Sequence, residues 1–361
     1  MSTAARLVNW FRTNARPLPW RTEPREPYAT LVSELMAQQT QLDRVVPKFA
    51  AFMGRFPTLA SLAAASEEEV VEMWSGLGYY RRARLLHRLA REVASSTGEL
   101  PQNASDLEKL PGIGPYTAAA IASMVHGEAA PLMDGNVGRV GARMLAEPGD
   151  PRKGTAKRLV LDWVEELMVS ASPGEVNEAL MELGATICTP VRPDCERCPL
   201  ADGCRARAEG DPEVYPPPRQ SRPPIDLEWL AVVAEDRAGR WLLREVTDGP
   251  ILRGLWLPPY AEIDVGKPID EQVRRLLPFR STATIEFAEP VKHSITHRRI
   301  EIRPARVRVD RPAVIPTRWS WVDPESPKLP TSSLLGKLRG AVFFSRPTSV
   351  FRGGSAAPEN E

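Results

Sequence analysis

Apolar positions set the first reading of this chain. From about Pro27 to Ala206 they recur at helical spacing, as in Leu31, Leu35, Leu42, Val45, Val46 and Phe49. That interval buries one stripe of a helix. The N-terminal MSTAARLVNWFRTNARPLPW reads as a short amphipathic helix and lacks the apolar region of a signal peptide. Ser66 to Trp74 is predicted helical, with Ser66 as cap and three glutamates in the first turn, where the helix dipole favours them. Arg82 to Ala94, Asp106 to Leu110, Pro115 to His126 and Ala156 to Val169 follow as helices, separated by breaks such as Gly76-Leu77-Gly78.

The pattern changes after residue 206. Between Asp211 and Pro224 six of fourteen residues are proline, which predicts a semi-rigid linker. Beyond it, Trp229 to Ala234 and Trp241 to Val246 read as strands around an Ala238-Gly239 turn. Ile300, Ile302, Val307 and Val309 within Arg299 to Val309 carry the alternation of a half-buried strand. Lys267 to Leu277 and Thr331 to Ala341 are predicted helices. The expected organisation is a helical domain at 1–206, a linker at 207–225, an α+β domain at 226–345 and a disordered tail at 346–361.

Composition narrows this little. The chain has 361 residues, 42% hydrophobic and 26% charged, with a net charge of +1. A near-neutral balance means that any polyanion site must be a local patch. No apolar run approaches the roughly eighteen residues of a membrane span. With reduced cysteines and no export signal, a cytoplasmic protein is expected.

The cysteines change the picture. All four lie in the spacing Cys188-x6-Cys195-x2-Cys198-x5-Cys204. A structural zinc site normally takes its ligands as two close pairs a dozen or more residues apart. One compact loop with four thiolates instead suits a cubane [4Fe–4S] cluster, one cysteine per iron, with tetrahedral zinc as the alternative. A second motif, Leu110-Pro111-Gly112-Ile113-Gly114-Pro115-Tyr116-Thr117, joins two short helices. Gly112 and Gly114 permit a tight turn whose exposed backbone N–H groups suit a DNA phosphate, unless the turn is only a connection. Asp134 follows eighteen residues after Tyr116, and alone it reads as the N-cap of a helix from Asn136 to Leu145.

This ordered set of hairpin, aspartate and cysteine loop resembles the helix-hairpin-helix DNA glycosylases, the endonuclease III class, over most of residues 18–206. In that class Asp134 would project toward the sugar of a flipped nucleotide. Lyase members carry a lysine two residues after the second hairpin glycine; here the position is Tyr116, so the amine nucleophile is missing. Breaking a purine N-glycosidic bond then needs a proton donor and a negative charge beside the cationic sugar. Glu34, in SELMAQQT at 33–40, supplies a second carboxylate, although a solvated helix glutamate is the ordinary alternative.

LPWR at 18–21, SELMAQQT, GLGYY at 76–80 and NEALMELGA at 177–185 resemble the MutY-type adenine DNA glycosylases. The resemblance implies a monomer acting on double-stranded DNA with adenine opposite 8-oxoguanine or guanine. It implies that Glu34 protonates the extruded adenine at N7 and later activates water, while Asp134 stabilises or briefly bonds the sugar. Asn136 and Tyr116 would support these groups, Glu178 would face the adenine amino edge, and Trp20 and Arg21 would line the pocket. Gln39, Leu77 and Tyr79 would fill the gap in the duplex and wedge beside the oxidised guanine. Arg192 and Arg197 in the cysteine loop suit phosphate contacts.

Gly254-Leu255-Trp256-Leu257-Pro258 resembles the Nudix-like domain with which these enzymes inspect the opposing base. The helix candidate PIDEQVRRLL at 268–277 lacks the acidic cluster that holds Mg²⁺ in a Nudix hydrolase. His293-Ser294-Ile295-Thr296-His297 aligns with the family's Phe-Ser-His loop. Thr296 and His297 would contact the lesion there, while Ile295 replaces the customary aromatic. His293 and His297, four apart without a third ligand, read as a non-metal pair. The rival readings are a thymine- or uracil-mismatch glycosylase on the same scaffold, a non-catalytic damage-binding protein, and a nucleotide-pool hydrolase.

Overall fold

The computed structural model describes residues 1–217, 223–249, 251–310, 314–327 and 329–344. The expected tail at 346–361 lies outside the described residues. The chain divides into two units, Met1–Gln220 and Ser221–Glu361.

The first unit is helical. Its helices are α1 (Thr3–Asn14), α2 (Pro27–Ala37), α3 (Leu42–Arg55), α4 (Leu59–Ala64), α5 (Glu67–Met73) and α6 (Arg81–Ser95). They continue as α7 (Ala104–Leu107), α8 (Pro115–His126), α9 (Gly135–Leu145), α10 (Gly154–Met168), α11 (Pro173–Thr186) and α12 (Arg205–Ala208). Local chemistry sets their ends. Ser66 and Glu69 form a capping box on α5. Pro27, Pro115 and Pro173 open α2, α8 and α11, where a missing N–H costs nothing. Gly127 closes α8 in the left-handed conformation.

Two cores result. One joins α1, α8, α9, α10 and α11 through residues such as Leu7, Phe11, Val137, Val160 and Leu183. The other holds Phe52, Phe56 and Trp74 edge to face, with centroids 5.1 and 5.9 Å apart. The short α4 and the long α11 escape the sequence reading as helices. The expected linker begins later than residue 207. Residues 212–214 form a 3₁₀ turn, and the Tyr215 carbonyl accepts from Arg143 Nε at 2.9 Å.

The second unit is α+β. Strands β1 (Ile225–Glu235), β2 (Trp241–Glu245), β3 (Trp256–Leu257), β4 (Tyr260–Glu262), β5 (Ile285–Phe287), β6 (Val291–Ile295), β7 (Arg298–Arg308) and β8 (Trp319–Val322) form one mixed sheet. Its helices are α13 (Ile269–Leu276) and α14 (Ser333–Phe344). β1 runs parallel to β7, with Trp229 opposite Ile302. Trp229, Ala231 and Val233 pack with Leu334, Leu335 and Leu338 of α14. Leu230, Val232 and Ala234 pack with Val273 of α13. Burial on both faces explains the unbroken apolar run in β1.

Strand β7 corrects the expected single alternation. Ile300 and Ile302 face the α14 side, whereas Ala305 and Val307 face the α13 side. Arg299, Glu301 and Arg303 are exposed, so the buried face changes at Pro304. The two helices cover opposite faces at opposite ends of this long strand. β6 and β7 form a hairpin, with Ile295 opposite Arg298 and Thr296-His297 as its turn.

Candidate active site and cluster loop

A cleft of about 880 Å³ in the helical unit is lined from α2, the turn before α8, the segment entering α9, and α11. The structure brings Trp20, Arg21, Glu34, Tyr116, Asp134, Asn136 and Glu178 together there, with Gln39, Gly112 and Gly114 at its lining. No lysine lines it among the described residues.

Glu34 lies on α2 with protein around it and partial access through the cleft. Burial, with Glu178 and Asp134 adding repulsion, pushes its carboxyl up to about 7, against the opposing pull of Tyr116 and Arg21. The Tyr116 hydroxyl donates to Met181 Sδ at 3.2 Å. Its influence on Glu34 means that this rotatable donor has two acceptors within reach. Burial beside the two carboxylates raises the tyrosine well above its ordinary value.

Asp134 is both a helix cap and a cleft residue. Its Oδ1 accepts from Asn136 N at 2.8 Å and Val137 N at 2.6 Å, and its Oδ2 accepts from Asn136 Nδ2 at 3.0 Å. Burial raises its pKa, while these donors and Arg139 oppose the rise. The two backbone bonds occupy Oδ1, and Oδ2 keeps a lone pair beyond its bond from Asn136. Asn136 is itself held by Arg139, whose Nη2 donates to Asn136 Oδ1 at 2.9 Å and to Gly184 O at 2.6 Å. Gly184 has no alternative here, since a Cβ would stand 2.6 Å from Asn136 Cβ and 3.0 Å from its Cα.

Glu178 is 6% exposed, and its two oxygens accept from Arg21 Nε at 3.0 Å and from Arg25 Nη2. Only the remaining lone pairs can meet a base. Glu182 is paired with Arg16 and Arg21 on the same wall. Arg16, Arg25, Met181 and Glu182 were missed by sequence reasoning. Buried acids at one-turn spacing in NEALMELGA carried the only signal, because they require cations from elsewhere. Trp20 is 8% exposed and meets the Phe49 ring edge at a 5.1 Å centroid distance.

The expected wedge residues separate. Tyr79 is 61% exposed, so it does not serve as core packing. Leu77 is 5% exposed, and its carbonyl accepts from Arg82. Leu77 is therefore a buried anchor of its loop. Gly112 has φ +83°, and a Cβ there would lie 2.8 Å from Leu85 Cβ. In the other unit Thr296, at φ +56°, is exposed, and its hydroxyl donates to Ile295 O at 2.6 Å. His297 Nδ1 lies 3.4 Å from that hydroxyl.

All four cysteine sulfurs line one hollow, closed by Val140, Met144, Leu183, Ile187 and Leu200. Among the described residues no three His, Cys, Asp or Glu side chains converge closely enough for a single metal ion. Arg143, 2% exposed, donates from Nη1 to Cys188 Sγ at 3.3 Å and to Thr189 O at 2.7 Å. Such a cation offsets the negative charge of a thiolate cluster. Burial pushes the free Cys198 thiol up to about 11 and raises Cys195 and Cys204, so loading must expel protons.

Known proteins agree with this geometry. Residues 32–166 match the HhH-GPD superfamily of base excision DNA repair proteins, and residues 188–204 match the iron–sulfur binding domain of endonuclease III. The loop at 188–204 is thus an iron–sulfur site, whose four cysteines fit a [4Fe–4S] cluster. A thermostable thymine-DNA glycosylase superposes with a TM-score of 0.52 at 26% identity, covering 57% of this chain and 95% of that one. The human adenine DNA glycosylase is 44% identical over 216 residues, 57% of this chain. This chain spans only 40% of that relative's length. The adenine DNA glycosylase of Mycobacterium tuberculosis (strain H37Rv) is 36% identical over 266 residues, 72% of this chain and 84% of the relative. On that breadth of match, joined to the hairpin, the paired carboxylates and the cysteine loop, the chain belongs to the adenine DNA glycosylase family.

Proposed function

We propose that this protein is a monofunctional DNA glycosylase that removes adenine mispaired with 8-oxoguanine or guanine. The observation that carries the reading is Glu34, whose carboxyl is pushed to about 7 in a cleft that also holds Asp134. A carboxyl of that strength keeps a useful fraction of its proton near neutrality. It donates to N7 of the extruded adenine, the C1′–N9 bond breaks, and the electron pair leaves with the base. Asp134 Oδ2 faces the resulting oxocarbenium-like sugar. Glu34, now ionised, takes a proton from the attacking water, leaving an abasic site. With tyrosine at position 116, no amine stands ready to form an imine and cut the strand.

Cluster and reader have supporting roles. The iron–sulfur cluster, when bound, fixes the loop carrying Arg192 and Arg197 for phosphate contact. The strand-rich unit reads the opposing base in this proposal, with the Thr296-His297 turn as the contact. Cytoplasmic placement and action as a monomer belong to the same proposal. The test is excision from duplexes that differ only in the base opposite adenine. Fast release opposite 8-oxoguanine, slower opposite guanine and little opposite thymine is expected. Equal rates opposite all three, or strand cleavage through a borohydride-trapped imine, would overturn the reading.

A further inference from the structure

Arg82, in the first turn of α6, is the most heavily engaged side chain outside the carboxylate site. Its Nη1 donates to Leu35 O at 2.6 Å, Met36 O at 3.2 Å and Gln38 O at 2.5 Å. These carbonyls belong to the end of α2, the helix that carries Glu34, where the last carbonyls have no intrahelical partner. Nη2 donates to Thr40 Oγ1 at 3.2 Å and to the carbonyls of Leu77 and Gly78 at 3.3 Å. The guanidinium carbon lies 5.6 Å from the Trp74 ring centroid and 5.4 Å from that of Tyr79.

Stability alone is a poor account of this arrangement. Each of these hydrogen-bond acceptors is neutral, and the buried Nε has no partner. A desolvated cation without a carboxylate, and with one N–H unsatisfied, is an expensive way to hold two loops together. The two loops themselves are distinctive. Gln39 and Tyr79, both exposed, have φ +56° and +49°, the left-handed region that side chains avoid. Backbone strain of this kind persists only where the surroundings over-determine it. Arg82 contacts both loops, which otherwise meet through the Thr40 hydroxyl donating to Leu77 O at 3.4 Å. Gln38 extends the link to the hairpin, since its Nε2 donates to Thr117 Oγ1 at 3.2 Å, one residue from Tyr116.

We propose that Arg82 is a positioning residue that locks the exposed tips at Gln39 and Tyr79 to the end of the acid-bearing helix α2. Insertion of the tips into a duplex and presentation of the freed base to Glu34 then occur in one register. This rests on the glycosylase reading, but its first test needs no turnover. In the full-length, cluster-loaded protein, Arg82→Lys keeps the charge and loses the planar fork. Amide hydrogen exchange should rise about tenfold or more in both 38–40 and 77–80, with the other helices unchanged. A rise in one segment alone, or in neither, overturns the proposal.

Activity supplies the second arm. Arg82→Lys should slow single-turnover excision by about 10- to 100-fold, the scale expected from small misplacement. Added to Tyr79→Ala it should cost little more, because both changes break one device. Losses that multiply overturn the proposal. In a Glu34→Gln background, 2-aminopurine in place of the target adenine should lose its extrusion fluorescence with Arg82→Lys, while binding to undamaged duplex persists. If the substitution unfolds the chain, the unaltered protein decides. Segments 38–40 and 77–80 should then open with the same free energy across a denaturant series, and unequal openings refute the link. Wild-type protein without adenine excision would refute the proposed function and leave the exchange arm intact.

Discussion

Glu34 ties stability to pH. Its folded pKa of about 7 lies above the ordinary 4.5, so the folded chain binds the extra proton between those values. The stabilising proton is fully present below pH 4.5 and is lost as pH rises through about 7. Glu34→Gln should therefore raise the melting temperature at pH 8, by on the order of 2 kcal/mol in stability, with little effect at pH 5. Calorimetry at the two pH values checks this, and a larger gain at pH 5 would contradict it. The same proton governs chemistry, so wild-type single-turnover excision should fall as pH climbs past about 7. Asp134 separates the other way. Asparagine caps a helix about as well as aspartate, so Asp134→Asn should melt within about 1 kcal/mol of wild type. Excision should nevertheless drop by at least about 100-fold. A helix cap and the proposed catalytic carboxylate want the same residue, which is why Asp134 was ambiguous in the sequence.

Elements bring the carboxylates together, and close backbone approach brings the elements together. Gly184 lets α11 lie against the start of α9, and Gly184→Ala would force a Cβ into the Asn136 backbone. Overpacking of this kind costs about 1–3 kcal/mol. Excision should fall by more than that loss explains, because Asn136 holds Asp134. Comparing the thermal shift with the single-turnover rate tests the point. At this scale the sequence was legible where periodicity and caps coincided, as in α5 with Ser66 or α8 between Pro115 and Gly127. It was silent on α4, whose six residues are too short for a period. It was misleading on β7, where one strand serves two faces. The arginines that neutralise Glu178 and Glu182 were invisible for a further reason. Arg16 and Arg25 stand more than 150 residues from the acids they meet, and no local pattern encodes such pairing.

Across the whole molecule, recognition and chemistry occupy separate units in this proposal. Thr296→Ala combined with His297→Ala should flatten the preference between 8-oxoguanine and guanine opposite adenine, while the rate opposite guanine stays within about threefold. Two-base competition in one tube measures this directly, and a proportionate loss on both duplexes would argue against a reader turn. One direct base contact is worth about 1–3 kcal/mol of discrimination, so the preference should shrink by at least about fivefold.

Helix α9 has a consequence beyond its packing. Its eleven residues span about 16 Å. At its head Asp134 and Asn136 face the cleft. Arg139 then reaches Cys188 O at 2.7 Å, and Arg143 holds Cys188 Sγ at its foot. One helix thus joins the cysteine loop to the carboxylate that, in the proposed reaction, steadies the sugar. In the proposed enzyme, stripping the iron should slow single-turnover excision while far-ultraviolet circular dichroism keeps most of its helical signal, and unchanged excision would refute that coupling.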